Sequence, residues 1–262
     1  MKILFVCDGG IYSGLERVTL DLATAVRDGG DEVRILASHW GGGEFVARAA
    51  ERGLPIDKSW LGFLSLQLRP APLYMTAAQL GRLPALWSDF RSIVRRWQPD
   101  VVHHSNFHHV LLLACGPNAL GVPHVYHVHA AFEPTRPVRL ALGRIDALVD
   151  RFIAVSGFVR DGLVRCGVSA RKIEVVLNGV PPASRDAEAR RAWRRALGLA
   201  GGDVAIGIVG QVAAWKGHED FVDALAIARR DHPAIRAWSS EAARRPFGRC
   251  SNGAPAPAAS RI

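Results

Sequence analysis

Short runs of branched apolar residues alternate along most of the chain with longer stretches in which apolar positions recur every three or four residues. The first pattern predicts buried strands, the second amphipathic helices. Lys2–Cys7 reads as a strand, and Asp8–Ser13 follows as a loop containing Gly9-Gly10. Leu15, Val18, Leu22 and Val26 then share one face of a helix over Leu15–Asp28, which Gly29-Gly30 stops. Glu32–Ala37 is the second strand. The resulting βαβ unit carries a glycine-containing loop at the C-terminal end of its first strand, where doubly wound folds bind ligands. The loop lacks G-x-G-x-x-G, which disfavours a nicotinamide dinucleotide. Gly14 either lets a ligand approach the backbone or simply serves a tight turn.

The alternation continues. Phe45–Arg52 reads as a short helix, and Pro55–Asp57 as a short strand or loop. Trp60–Tyr74 is apolar but interrupted by Pro70 and Pro72, and reads as core packing or as a membrane- or acceptor-facing loop. Thr76–Gln98 is helical with a break expected near Pro84, and Arg91, Arg95 and Arg96 make its last turns basic. Strands are expected at Val101–His104, His124–Val128, Asp150–Val155 and Ile173–Leu177, with helices around His109–Leu120 and Ser156–Arg165. This order implies a parallel sheet with helices on both sides. Pro181–Ser184 is the best linker, and Ala187–Leu197 a short basic helix. Ala205–Val209 is then a strand that ends at Gly210, followed by a loop, Gln211–Gly217, with Lys216, and a helix over His218–Arg230. A loop with Gly and Lys before a helix start suits a phosphate, and equally a plain turn with a surface lysine. From Trp238 the pattern fails. The tail SSEAARRPFGRCSNGAPAPAASRI resembles disordered sequence, or the out-of-frame reading of a GC-rich gene. The expected organisation is a Rossmann-like domain over 1–182, the start of a second domain over 183–236 without a sheet of its own, and a disordered tail over 237–262.

Composition narrows the functional classes. The chain has 262 residues, 49% hydrophobic and 22% charged, with a net charge of +9. No uninterrupted apolar stretch is long enough to span a bilayer. The N-terminal apolar run stops at Asp8 and reads as a strand rather than a signal peptide, so a cytoplasmic location is expected. Cys7, Cys115, Cys166 and Cys250 are widely separated, without C-x-x-C, and read as reduced thiols. No nucleic-acid-binding module is recognisable, so anionic lipid headgroups at the inner face of the membrane are the better partner for the basic charge.

Seven of the ten histidines lie between His103 and His129. His103 and His104 are adjacent on a strand and point to opposite faces, whereas His127 and His129 share one. The pair His127/His129 allows three readings: metal ligands of a hydrolase, structural histidines, or one ring, His129, at a substrate site on a strand's C-terminal end. There is no G-x-S-x-G, Cys/His nucleophile site or Walker loop. Glu16 reads as an acid favoured by the helix dipole.

Several segments carry a resemblance. Ser13-Gly14-Leu15-Glu16-Arg17-Val18 is similar to a G-G-x-E-x-hydrophobic segment, with Ser13 in place of the first glycine. Gly29-Gly30-Asp31-Glu32-Val33 is similar to G-H-E-V, Pro99–His103 to P-D-V-V-H, and Val125–His129 to a strand ending in histidine. Ala154-Val155-Ser156, the Asn178-Gly179-Val180 turn, and Gly210-Gln211-Val212 followed by Lys216-Gly217 complete the order, with Gln211 where a basic residue is usual. Together these resemble the family 4 glycosyltransferases, retaining enzymes of the GT-B fold. The resemblance runs from Leu4 to about Ile235. It implies an α/β GT-B-type fold, one complete Rossmann-like parallel domain followed by the first part of a second. It implies transfer of a sugar, with retention, from a nucleotide-sugar donor to a saccharide or lipid-linked acceptor, in cell-envelope or exopolysaccharide synthesis, with no cofactor and no required metal. His129 would contact the donor sugar, Gly14 would admit the pyrophosphate, and Gly210 and Lys216 would face the donor phosphate. Ser13, Glu16 and Asn178 are further candidate donor or acceptor contacts. The two acidic donor ligands that the family places late in its second domain have no counterpart after Lys216, so an apparently truncated donor half with little activity is expected. An inactive remnant or acceptor-binding protein is the alternative, with a metal hydrolase using His127 and His129 as a third reading.

Overall fold

The computed structural model describes residues 1–10, 12–41, 43–65, 69–114, 121–180, 186–210, 216–240 and 260–261. The chain forms two compact units, Met1–Gly179 and Val180–Ile262.

The first unit is built on a seven-stranded sheet in the order β3-β2-β1-β4-β5-β6-β7, with every neighbouring pair parallel. Its strands are β1 (Lys2–Val6), β2 (Glu32–Ser38), β3 (Ile56–Ser59), β4 (Val101–His104), β5 (His124–Val128), β6 (Arg151–Ala154) and β7 (Ile173–Val175). The helices are α1 (Gly14–Asp28), α2 (Glu44–Glu51), α3 (Pro70–Trp97), α4 (Phe107–Ala114), α5 (Arg136–Leu148) and α6 (Gly157–Arg165). The two faces of the sheet follow from strand alternation. Phe5, Cys7, Ile35 and Ala37 pack with Leu20 and Ala23 of α1 and with Phe45 and Ala49 of α2. Leu4, Val6, Leu36 and Val102 turn to the opposite face, against Leu86, Phe90, Ile93 and Val94 of α3. A third cluster joins Tyr126, Val128 and Phe152 to Leu142 and Ile145 of α5 and Leu163 of α6. Burial on both faces explains the near-continuous apolar strands.

Three helical expectations change. α3 runs unbroken through Pro84 and begins six residues earlier than Thr76, at Pro70. Pro70 and Pro72 sit in the first turn, where the missing amide is an orphan in any case. Pro84 removes the bond to the Leu80 carbonyl, but Leu86, Phe90, Ile93 and Val94 anchor the helix in the core beyond it. α4 is described over Phe107–Ala114, and the rest of the expected helix to Leu120 lies outside the described residues. α5 was not foreseen, although Thr135 at its N-cap, Pro137 in its first turn and the spacing Val138, Leu142, Ile145 are helical signals. The apolar stretch from Trp60 divides: Leu61 is buried and Trp60 and Leu64 pack partly against α3, whereas Phe63, Leu73 and Tyr74 are exposed. Leu66 and Leu68 lie outside the described residues.

The second unit contains α7 (Ala187–Ala196), β8 (Val204–Val209), α8 (His218–Asp231), β9 (Ile235–Ser240) and β10 (Ser260–Arg261). β8 and β9 pair in parallel from Val204↔Ile235 to Val209↔Ser240, and β10 pairs antiparallel with β9. This corrects two expectations: the unit has a three-stranded sheet, and residues 237–240 and 260–261 are strand rather than tail. The β8 ladder extends β9 beyond the point where apolar patterning stops at Trp238, because backbone pairing needs no apolar side chain. Leu225 of α8 packs with Ile235 and Ala237 on one face of this sheet. The linker Pro181–Ser184 and residues 241–259 lie outside the described residues. Cys7 and Cys166 are free and buried, as expected for reduced thiols, and Cys115 and Cys250 lie outside the described residues.

The loop after β1 is fixed by a glycine. Gly9 has φ +64°, and a Cβ there would stand 2.5 Å from Cδ1 of Phe45. Gly14 differs: it has a negative φ, and a Cβ there meets nothing within 4 Å. Gly9→Ala is therefore expected to lower stability by about 2–4 kcal/mol, from backbone strain plus overlap. Gly14→Ala should leave stability unchanged or raised, since alanine favours the helix. Urea unfolding of the two variants checks this pair of outcomes.

Candidate functional site

Polar side chains gather at the C-terminal ends of β1, β4 and β5. Reversal of strand order between β1 and β4 opens a crevice there, because successive connections leave in opposite directions. Asp8 follows β1 after Cys7. Burial raises its carboxyl above the usual range, and the amides of Gly9 and Gly10 partly counter this by stabilising the anion. His109 of α4, fully buried, places Nε2 3.7 Å from Asp8 Oδ2. Burial and the neighbouring His108 lower the His109 pKa to about 3, so the ring is neutral at physiological pH. Ser105, at the end of β4, shares a hydrogen bond of 2.9 Å with Thr19 of α1 and so ties α1 to β4.

Ser13, Gly14 and Glu16 are brought together at the start of α1. Glu16 Oε2 accepts from the Ser13 amide at 2.8 Å and from the Ser13 hydroxyl at 2.6 Å, one half of a capping box. Glu16 is buried, which raises its pKa, while the Ser13 bonds pull it back. Its geometry is thus that of a buried capping acid. Gly14 is exposed at the first turn.

The histidines divide between the two faces of the sheet as their alternation requires. His104 and His124 share a hydrogen bond of 2.8 Å between Nε2 and Nδ1 on one face. On the other, His103 stands 4.7 Å from the Phe5 ring and 5.4 Å from His127, and His127 lies 4.1 Å from His129. Burial, then neighbouring imidazoles, lowers His103 to about 4 and His127 to about 3, and burial lowers His129. Both ring nitrogens of His103 and Nε2 of His127 and His129 have no hydrogen-bond partner among the described residues. His129, just beyond the end of β5, is the most accessible of the three, although its Nε2 is shielded from solvent. Among the described residues, His127 and His129 join no group of three potential metal ligands. The group that does form, Cys7, Asp8 and Glu16, has its thiol and both carboxyls pushed toward the neutral form by burial.

The remaining candidates lie elsewhere. Asn178 is exposed near the end of the first unit. Gly210 and Lys216 belong to the second unit, where β8 leads toward α8. A Cβ on Gly210 would be 4.0 Å from the Lys216 Cδ, and Gly217, with φ +73°, is the N-cap of α8. Gln211 and Val212 lie outside the described residues. Sequence reasoning missed Asp8, His109 and the Thr19–Ser105 link. Asp8 was findable as the first polar residue after the first strand, whereas the other contacts join positions far apart in sequence.

Histidines held neutral by burial make stability depend on pH, four of them most strongly. The pKa of His103, His104, His109 and His127 is lower in the folded protein than the unfolded value near 6.5, so the unfolded chain takes up protons first as pH falls. Stability is full above about pH 6.5 and is lost on acidification toward 4, by up to about 1.4 kcal/mol per pH unit for each ring. Asp8 and Glu16, whose pKa values are raised, oppose this in the lower part of that range. The urea midpoint is therefore expected to fall between pH 7.5 and 5.5, with a shallower fall in His103→Phe.

Comparison with solved structures places this fold. HepE of Anabaena, in complex with UDP and glucose, is 19% identical with a TM-score of 0.69, over 93% of this chain and 62% of that one. A glycosyltransferase of Rickettsia africae is 17% identical with a TM-score of 0.62, over 92% and 68%. The UDP-GlcNAc 2-epimerase of Neisseria meningitidis is 10% identical with a TM-score of 0.55, over 94% and 66%. The chain thus spans less than two thirds of the length of HepE. Its fold is α/β of the GT-B type. No curated protein matches it by sequence. Residues 12–184 match Glycosyltransferase Family 4, and with two thirds of its length inside that match the chain belongs to this family, whose members need no cofactor beyond a nucleotide-sugar substrate.

Proposed function

We propose that the chain serves the transfer of a sugar, with retention, from a nucleotide-sugar donor to a saccharide or lipid-linked acceptor in envelope or exopolysaccharide synthesis. Family membership supports the reaction class, and HepE, in complex with UDP-glucose, supports the donor class. The observation that carries the reading is His129: a half-buried imidazole just beyond β5, kept toward the neutral form by burial, whose Nε2 is shielded from solvent and has no partner among the described residues. In this reading its ring hydrogen-bonds a hydroxyl of the donor sugar. Gly14 leaves open space at the first turn of α1, where a pyrophosphate meets both the helix dipole and the backbone amides. Lys216, beside Gly210 and before the N-terminus of α8, balances charge that develops on the leaving phosphate. Ser13 and Glu16 fix the loop that presents Gly14, and Asn178 is an exposed contact for donor or acceptor. No metal takes part.

Among the described residues no helix is long and apolar enough to cross a membrane. Work in the cytoplasm, with peripheral contact between the basic surface and anionic headgroups of the inner face, fits the net charge of +9.

Titration with UDP and GDP tests the donor reading. Saturable binding of one nucleotide is expected, weakened about tenfold or more in Lys216→Ala, since a charge-assisted contact to phosphate is worth about 1.5–3 kcal/mol. A folded protein that binds neither nucleotide, or binds equally without Lys216, would contradict it.

A further inference from the structure

Beyond β1, β2 and β3 the sheet edge carries aromatic rings that the donor reading does not use. Trp40 follows β2 and is 52% exposed, and Phe63 follows β3 and is 40% exposed. Both are held. The Trp40 amide donates to the Ser38 hydroxyl at 3.0 Å, its Cδ1 lies 3.6 Å from where a Cβ on Gly62 would stand, and its ring meets Trp60 edge-on at 5.3 Å. Trp60 is a support rather than a free face, because Arg82 covers its ring at 4.1 Å. Phe63 meets the ring of His108 at 6.1 Å.

Two polar groups stand beside these rings. His108 Nδ1 accepts from the Leu64 amide at 3.3 Å, which puts its proton on Nε2 and makes that edge a donor. Asp8 interacts electrostatically with His108 and retains 27% side-chain exposure. The loops bearing Asp8 and Trp40 are in contact, since a Cβ on Gly41 would lie 2.7 Å from the Gly9 carbonyl oxygen. The backbones of the Trp40 and Asp8 loops thus meet at Gly41 and Gly9, and Phe63 neighbours His108, which interacts with Asp8 electrostatically.

We propose that Trp40, Phe63, Asp8 and His108 form a binding site for a neutral saccharide. The C–H face of a pyranose is apolar and lies flat on an indole or phenyl ring, while its rim of hydroxyls needs an acceptor and a donor. The site supplies both, on side chains already ordered before binding. The Asp8 carboxyl beside His108 disfavours an anionic headgroup. This names the acceptor of the transfer proposed above as a sugar ring rather than a lipid portion, and rests on that reading. The binding itself needs neither donor nor turnover.

Calorimetric titration of the purified chain with methyl glucoside, methyl galactoside, methyl mannoside and maltotriose tests it, with UDP titrated in parallel. At least one saccharide is expected to bind. Its affinity should fall about tenfold or more in Trp40→Ala and in Asp8→Asn and persist in Trp40→Phe, with UDP affinity unchanged in both Trp40 variants. Trp40 is exposed, so thermal melting should confirm a wild-type fold in its variants. Failure of all four saccharides to bind, or binding that survives both Trp40→Ala and Asp8→Asn, overturns the site. So does binding to phosphatidylglycerol vesicles that is lost in Trp40→Ala without any saccharide binding, which would give this face to a membrane. Absence of UDP binding with saccharide binding intact removes the donor reading and leaves this site standing.

Discussion

A parallel sheet covered on both faces leaves its polar chemistry one outlet, the strand ends. Phe5, Cys7, Ile35 and Ala37 are sealed under α1 and α2, and Leu4, Val6, Leu36 and Val102 under α3. Polar side chains at this edge therefore follow the strands: Asp8 after β1, Ser105 after β4 and His129 after β5. The reversal of strand order between β1 and β4 makes those ends diverge into a crevice. Asp8, Ser105 and the loop before α1 all lie at that one topological feature.

Behind this edge the sheet buries an unusual number of imidazoles. His103, His104, His109, His124 and His127 are all buried, and burial keeps each of them toward the neutral form. Neutral imidazole carries a donor and an acceptor at little cost in desolvated charge, which suits a polar layer beneath a site for hydroxyl-rich ligands. The cost is sensitivity to acid, because each ring must stay unprotonated for the strands to remain packed. His129 shares that environment at the end of β5, half-buried, so its neutral state follows from the same burial.

Strand and helix alternation made the sheet of the first unit legible in the sequence, down to the limits of β4 and β5. α5 escaped because Arg136, Arg139, Arg144 and Gly143 dilute an apolar stripe that Val138, Leu142 and Ile145 nevertheless maintain. The strand β9 runs four residues into the expected tail because Ser239 and Ser240 carry no apolar signal, and the ladder with β8 is a property of backbone. Gly14, Glu16 and His129 were legible through their places in motifs. The pairing of Asp8 with His109, and of Thr19 with Ser105, was not, because local pattern says nothing about which side chains two distant segments bring together. Glu16 shows the limit from the other side: the motif marks it, and the structure gives it a capping bond to Ser13.

The central claim is sugar transfer at the first unit's strand ends with His129 facing the donor. The most direct measurement is release of UDP or GDP from UDP-glucose, UDP-galactose, UDP-GlcNAc and GDP-mannose by the purified chain with the methyl glycosides and maltotriose present as acceptors, beside His129→Ala of equal melting temperature. The account predicts release from one donor that is lost in the variant. Release that continues unchanged without His129, or a folded chain that turns over none of the four, would contradict it.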